Sequence, residues 1–351
     1  MTTWPAGSST ETLTVAGPVS ATETGPRADA KTVGRLLRIS LAPSAAADVA
    51  VGLALGAGGV WLPGAAPFLL IGAALCVYHG AMALNDWADR LGDARTRPER
   101  PIPSGAVPPR AACAGGFALV AAGVALAALA TPALGAWLAV VAGLAVLYDL
   151  RGRGPVLGPL LLALCRFGNF GLGLTAPAWL GVEGAPPLPL VPAALYGTYV
   201  FFVSRLGRLE DDEDAGPLGG RPRRYLLAGA ACLALVPVLP LAPFFSDAIG
   251  NVVWPWHSSL GGEGVALGAL AAALVAWAGA FGLARAALKT REWTRGAVGA
   301  CMGMALRRLL VFTAACALLG LAWGPAPGIV AALALLGYPV SYGLRKVFPP
   351  S

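Results

Sequence analysis

The chain consists of long apolar runs separated by short polar segments. From about residue 40 onward, runs of roughly 20 mostly uncharged residues recur, the length with which an α-helix crosses the hydrocarbon core of a bilayer. These runs lack the alternation over about ten residues that marks a membrane β-barrel. The pattern predicts an all-α, polytopic membrane helical bundle with nine to ten transmembrane helices. The candidate spans fall at roughly 40–62, 66–87, 111–130, 133–149, 156–180, 190–208, 224–245, 264–287, 303–323 and 326–346.

Positive charge follows the even-numbered candidate spans, whereas the segments after the odd-numbered spans contain no Lys or Arg. By the positive-inside rule, both termini and the loop after the second span face the cytoplasm, which predicts a multi-pass protein of the inner (cytoplasmic) membrane. Residues 1–34 show no apolar periodicity and are rich in Thr, Ser, Ala, Gly and Pro. We interpret them as a disordered cytoplasmic tail and residues 35–351 as one transmembrane domain.

The composition agrees with a membrane protein and argues against one class of partner. Hydrophobic residues make up 57% of the chain and charged residues 12%, against about 25% charged residues in a typical soluble domain. The formal net charge of +7 comes mainly from arginines in the loops, so it indicates topology and predicts no nucleic-acid partner. The six cysteines occur singly, without the spacing of a metal site. No feature of the sequence indicates the oligomeric state.

Three aspartates follow the second candidate span at helical spacing. Asp86, Asp89 and Asp93 are spaced i, i+3 and i+7, which places them on one face of a helix. Because a helix C-terminus already carries partial negative charge, the three carboxylates repel it and one another unless cations are present. Carboxylates at this spacing suit Mg²⁺, which commonly bridges to substrate phosphates. The alternative is a solvated polar helix end without a ligand.

A second acidic cluster follows the sixth candidate span, on the same predicted face of the membrane. It contains Glu210, Asp211 and Asp214. Two such clusters facing each other can hold two or more Mg²⁺ ions around a diphosphate, because the metal supplies the positive charge that carboxylates lack. The arginines that follow the first cluster suit phosphate oxygens, which guanidinium groups bind in bidentate fashion.

Polar residues also lie inside the candidate spans, where they are costly and often functional. Asp48 lies in the first span, and Arg166 and Asn169 lie one helical turn apart in the fifth. One interpretation is that Arg166 and Asn169 line a cavity and contact the diphosphate or an acceptor. The other is an internal ion pair between Asp48 and Arg166. Together with His79, these residues also fit the substrate or proton path of a transporter.

The first acidic cluster resembles a motif of a known family. The run from Asn85 to Asp93, followed by Arg-Pro-Ile-Pro-Ser-Gly over residues 100–105, resembles the first motif of the UbiA superfamily of intramembrane prenyltransferases. Every position of that motif is met. After the fourth candidate span, where the family has a tyrosine followed by a lysine, this chain has Tyr148 with Arg151 and Arg153.

The second acidic cluster resembles the family less closely. Its Asp-x-x-Asp-x-x-x-Asp motif aligns with Gly207, Glu210 and Asp214, so that the first acid is missing and the second is Glu; Asp211 substitutes by a local shift. This departure predicts a divergent branch of the family. It also keeps open a third function, that of a catalytically inactive membrane scaffold.

The resemblance implies a UbiA-like, Mg²⁺-dependent enzyme that transfers a prenyl group from an allylic prenyl diphosphate to an acceptor small molecule within the lipid bilayer. Its catalytic residues would be Asn85, Asp86, Asp89 and Asp93. Its metal ligands would be Asp86, Asp89, Asp93, Glu210, Asp211 and Asp214. Its diphosphate-binding residues would be Arg97, Arg100, Tyr148, Arg151, Arg153, Arg166 and Asn169. Aromatic quinone precursors, porphyrin-type rings, sugar phosphates and glycerol phosphates all stay open as acceptors.

Overall fold

A computed structural model of the protein describes residues 28–151, 154–186, 188–211, 218–244, 252–255 and 262–348. Over these ranges the chain forms α-helices and two 3₁₀ segments, Ile39–Leu41 and Val236–Phe244, and no β-strand. The all-α prediction is therefore confirmed. The α-helices are α1 (Ala30–Leu36), α2 (Ala42–Gly56), α3 (Ala66–Thr96), α4 (Pro109–Ala130), α5 (Pro132–Arg151), α6 (Leu157–Trp179), α7 (Val191–Asp211), α8 (Arg221–Leu235), α9 (Gly262–Lys289), α10 (Arg295–Leu318) and α11 (Pro325–Val347).

Nine helical segments within the described ranges are long and apolar enough to cross a membrane. Among the long helices α2–α11, α7 is the one outside this set, because Arg205, Arg208 and Glu210 make its C-terminal half polar. Helix α7 nevertheless packs against α6 and α8 as part of the bundle. The predicted nine to ten spans agree with this arrangement.

Three helix boundaries differ from the expectation. Helix α1 begins at Ala30, inside the stretch predicted to be a disordered tail, because Asp29 caps it by accepting from the Thr32 N–H over 2.7 Å. Residues 1–27 of that stretch lie outside the described ranges. Helix α3 continues to Thr96, so that the whole first acidic cluster is helical. Helix α10 begins at Arg295 rather than near residue 303.

Helices α2 and α6 approach each other closely through glycines. A Cβ atom added to Gly52 would lie 2.7 Å from a carbonyl oxygen of α6, and one added to Gly173 would collide with a carbonyl oxygen of α2. Small residues permit such close backbone contact in membrane bundles. This glycine seam, defined here by Gly52 and Gly173, holds α2 against α6 and thereby brings Asp48 next to Arg166.

Helix α1 packs on the C-terminal end of α11, where a Cβ atom on Gly34 would collide with the ring of Phe348. Between α1 and α2 the chain turns at Arg38, which has φ 50° and ψ 47°. Within the described ranges, Arg38 is the one residue other than glycine with a positive φ. This left-handed conformation costs an L-residue about 1–2 kcal/mol. The contacts of the Arg38 side chain must therefore offset that cost.

Candidate active site

The three aspartates of α3 share one helix face, and arginines neutralise two of them. Asp86 is 2% exposed and Asp93 is 6% exposed. The Nη1 atom of Arg100 lies 2.7 Å from Oδ2 of Asp93 and 3.8 Å from Oδ1 of Asp86. Arg100 is itself buried. The Arg-Pro-Ile-Pro-Ser-Gly segment thus folds back onto the helix that precedes it, and the repulsion expected within the acidic cluster is relieved by an internal cation.

A second arginine reaches the same face from outside the predicted site. The Nη2 atom of Arg38 donates to Oδ1 of Asp86 over 2.9 Å and to Oδ1 of Asn85 over 3.2 Å. Burial alone would lower the pKa of Arg38, but the Asp86 carboxylate raises it, and the net pKa lies above the usual value for arginine. Arg38 directly precedes the first candidate span and was not among the predicted site residues.

A fourth carboxylate, Asp149 of α5, joins this face, and sequence reasoning missed it. Asn85 donates from Nδ2 to Oδ1 of Asp149 over 3.1 Å. The Oδ2 atom of Asp149 is buried and accepts no hydrogen bond in the described part of the chain. Asp149 also lies within electrostatic range of Asp86 and Asp89. The sequence does hold a clue to Asp149. It lies at the end of the fourth candidate span, which brings the chain back to the side of the membrane where the acidic cluster lies.

Tyr148, the neighbour of Asp149, contacts α7. The Nη2 atom of Arg208 lies 3.4 Å from the Tyr148 hydroxyl, and its guanidinium carbon lies 5.8 Å from the centre of the ring. The other predicted diphosphate ligands on these helices lie at their ends. Arg97 is the exposed residue that follows α3, and Arg151 is the exposed last residue of α5. Arg153 lies outside the described residues.

The acid-bearing face of α7 packs against α10. A Cβ atom on Gly207 would lie 2.6 Å from the Met302 sulfur, so an acid at this first motif position would require the Met302 side chain to shift. The Glu210 carboxylate lies against Gly299, whose added Cβ would be 2.5 Å from Oε1. Asp211 ends α7, but its side chain and all of Asp214 are outside the described part of the chain.

Within the described ranges, no group of three His, Cys, Asp or Glu side chains converges as a metal centre would. The metal-ligand roles of all six predicted acids stay predictions: Asp86, Asp89, Asp93, Glu210, Asp211 and Asp214.

Arg166 and Asn169 both bind Asp48 at the glycine seam. The Asp48 carboxylate is fully buried, and its Oδ2 atom lies 2.8 Å from Nη1 of Arg166 and 3.1 Å from Nδ2 of Asn169. The Tyr196 hydroxyl donates to the other oxygen over 2.8 Å. The structure therefore contains the internal ion pair between Asp48 and Arg166 that was one of the two interpretations. A contact of Arg166 and Asn169 with a diphosphate stays a prediction.

His79 also has a structural partner, because its Nδ1 atom donates to the Leu37 carbonyl oxygen over 2.8 Å. The histidine that was considered for a transport path therefore links α3 to the segment around Arg38. This contact helps to hold that segment over the acidic cluster.

The bundle and the buried acid–arginine cluster at its end define a polytopic α-helical membrane protein with a charged site. The sequence model of the UbiA prenyltransferase family matches residues 45–295. This is more than half of the chain, and the protein belongs to the UbiA prenyltransferase family. It is an integral membrane protein of that family, as the resemblance predicted. The transporter and scaffold alternatives gain no support from this assignment.

Two curated relatives are digeranylgeranylglyceryl phosphate synthases. That of Methanothrix thermoacetophila is 38% identical over 98 residues, which are 28% of this chain and 37% of the relative. That of Methanopyrus kandleri is 31% identical over 196 residues, which are 53% of this chain and 68% of the relative. The matched part of the chain thus spans little more than a third of the first relative and about two thirds of the second.

A solved structure, described as giving mechanistic insight into digeranylgeranylglyceryl phosphate synthase in membranes, has the same fold. It superposes with a TM-score of 0.54 at 16% identity and covers 90% of this chain and 98% of its own. The UbiA-like architecture is thereby confirmed, together with the bundle of nine to ten spans.

Proposed function

We propose that the protein transfers a prenyl group from an allylic prenyl diphosphate to a lipid-type acceptor, in a Mg²⁺-dependent reaction at the cytoplasmic face of the inner membrane. The observation that carries this proposal is the aspartate face of α3, with Asp86 and Asp93 held by Arg38 and Arg100. Carboxylates and guanidinium groups together are what a metal–diphosphate complex requires. The products that name the two relatives, glyceryl phosphate lipids, support a lipid-type acceptor.

UbiA prenyltransferases generally depend on a divalent metal, and the carboxylates of α3 and α5 would have to draw together around it, because no three of them converge in the described structure. Asp86, Asp89, Asp93 and Asp149 offer hard carboxylate oxygens. The buried Oδ2 atom of Asp149, which has no hydrogen-bond partner in the described ranges, is an oxygen that a cation would satisfy. When bound, Mg²⁺ would neutralise diphosphate charge and assist departure of the leaving group.

The arginines have a distinct part in this proposal. Arg38 and Arg100 orient the carboxylates of Asp86 and Asp93. Both guanidinium groups lie beside the proposed metal ligands, where they suit the oxygens of an arriving diphosphate. Asn85 fixes Asp149 through its amide and is itself held by Arg38. An allylic cation formed on diphosphate departure must be kept from water, and the apolar helices of the bundle provide such surroundings.

Substitution of the aspartates tests the proposal. In purified protein reconstituted with Mg²⁺, radiolabelled prenyl diphosphates of several lengths and a membrane extract, we expect Asp86→Asn and Asp89→Asn each to lower prenyl transfer at least about 100-fold, the scale of losing a preorganised charged group. Mass spectrometry of the labelled product identifies the acceptor. Glu183→Gln, a change of an exposed acid between α6 and α7, is the matched control and keeps wild-type turnover. Undiminished transfer in both aspartate variants would refute the mechanism.

A further inference from the structure

A narrow cleft lies between the start of α2 and the helices α10 and α11. Its walls include the apolar side chains of Leu41, Leu306 and Leu310, and its polar lining includes Ser341, Arg307 and Arg345. The enclosed space is about 10 Å³, room for a single water-sized group. The Ser341 hydroxyl donates to the Ser40 carbonyl oxygen over 2.5 Å and ties α11 to the segment before α2.

The cleft is separate from the aspartate site. Arg38 pairs with Asp86 of the aspartate site, while Leu41 and Ser44 line the cleft. The Ser44 hydroxyl also accepts from Nη2 of Arg166 over 3.0 Å, so the cleft borders the Asp48–Arg166 ion pair. The segment between α1 and α2 thus contributes Arg38 to the aspartate site and Leu41 to the cleft.

The cleft concentrates positive charge without an internal counter-ion. Arg307 and Arg345 both line it and repel each other electrostatically. In the described part of the chain, no carboxylate lies within salt-bridge distance of either guanidinium group. Arg307 donates from Nε to the Tyr338 hydroxyl over 3.3 Å, a neutral partner. Two like charges at a partly buried position are unfavourable unless an anion compensates them.

Arg345 also carries a hydrogen-bond donor that is buried and lacks an acceptor among the described residues, its Nε atom. Leaving such a donor unsatisfied costs free energy, and a water or an ion can satisfy it. The Nε atoms of Arg38 and Arg100 are buried in the same way, but each of these arginines pairs with a carboxylate through another nitrogen. The nearby carboxylate-bound arginines show the contrast, because Arg38, Arg100 and Arg166 each hold an aspartate. The cleft thus presents two arginines that have no carboxylate partner among the described residues.

We propose that Arg307 and Arg345 bind a phosphate group, with one oxygen inserted between them and the rest of the head group at the mouth of the cleft. Basic pockets between transmembrane helices are suited to anionic lipid head groups, and the apolar walls provide a surface for the first carbons of a lipid. The phosphate can be carried by a lipid or be free in solution. This site does not depend on the proposed prenyl transfer.

Native mass spectrometry in a neutral detergent tests the site with three probes: phosphatidic acid, phosphatidylcholine of the same acyl chains, and inorganic phosphate. We expect phosphatidic acid to be retained and phosphatidylcholine to be lost. The double variant Arg307→Gln/Arg345→Gln is expected to bind phosphatidic acid at least about tenfold more weakly, because charged hydrogen bonds are removed. The charge-preserving Arg345→Lys is expected to fall between the two, since the planar guanidinium fork is lost.

The matched control removes the same net charge from the surface. Lys289→Gln/Arg291→Gln changes two exposed basic residues, the last residue of α9 and one in the loop that follows it, and it is expected to bind phosphatidic acid as the wild type does. Equal loss in both double variants, or wild-type binding by the cleft variant, would overturn the proposal. Displacement of lipid by millimolar inorganic phosphate would identify free phosphate as a sufficient ligand. Retention against it would identify the lipid-borne head group. A melting temperature for each variant without lipid separates lost binding from lost folding.

Discussion

At the scale of single residues, the aspartates of α3 could be predicted and their partners could not. Spacing alone placed Asp86, Asp89 and Asp93 on one helix face, because helical periodicity is local. Arg38 and Asp149 come from other helices, and only the folded bundle brings them to this face. The left-handed backbone of Arg38 has no signature in its residue type, since glycine or asparagine is usual in that conformation.

Arg38 can be tested by two substitutions that separate backbone from side chain. Arg38→Gly and Arg38→Ala both remove the ion pair with Asp86, and both are expected to weaken prenyl transfer by about tenfold or more. Arg38→Gly relieves the left-handed backbone, so it should be more stable than Arg38→Ala by about 1 kcal/mol. Denaturant unfolding in detergent measures this difference. Equal stability of the two variants would show that the backbone at this position is not strained.

At the scale of helices, the apolar runs predicted the elements well and their ends poorly. The seventh predicted span, 224–245, is an α-helix only to Leu235, after which Val236–Phe244 is 3₁₀. Pro237, Pro240 and Pro243 recur there every three residues, and each lacks the N–H that an α-helix needs. A hydropathy profile does not detect this change from α-helix to 3₁₀ helix, because the residues stay apolar. The face of α7 that meets α10 was also beyond sequence reasoning, because it depends on how two helices are rotated against each other.

The glycine seam makes a prediction for α2 and α6 as a pair. Gly173→Leu would force a side chain into the backbone of α2, and we expect a loss of roughly 2–4 kcal/mol of stability, at the upper end of overpacking effects. The melting temperature in detergent measures the loss. Gly72→Leu is the matched control on α3, where an added Cβ meets no atom within 4 Å. A Gly173→Leu protein as stable as the control would show that the seam is not tightly packed.

At the scale of the whole molecule, the sequence predicts most clearly the sidedness of the protein, that is, which loops face which side of the membrane. Loops rich in arginine and lysine alternate with connections that contain no Lys or Arg, and this alternation acts during insertion and not through native contacts. The fold agrees with it: the acidic cluster, Arg38, Arg100 and the phosphate cleft lie at the end of the bundle where the basic loops are. The acceptor could not be predicted, because recognition depends on side chains from several helices.

Reporter fusions measure this sidedness. Alkaline phosphatase needs disulfide formation outside the cytoplasm, so we expect it to be active when fused after Glu183 and inactive when fused after Ser351. Green fluorescent protein at the same two positions is expected to give the opposite pattern. Active phosphatase at the C-terminal position would reverse the membrane orientation and place the aspartate site on the outer face.

The contact between Gly34 and Phe348 joins α1 to the residue that follows α11. Helix α1 packs on the aromatic ring of Phe348. Arg38, which forms the ion pair with Asp86, is the second residue after α1. Removal of the C-terminal residues from Phe348 onward would therefore remove a packing contact that helps to position Arg38, a residue more than three hundred positions earlier in the chain. An affinity tag at the C-terminus is best attached through a spacer, so that the Phe348 ring keeps its contact with α1.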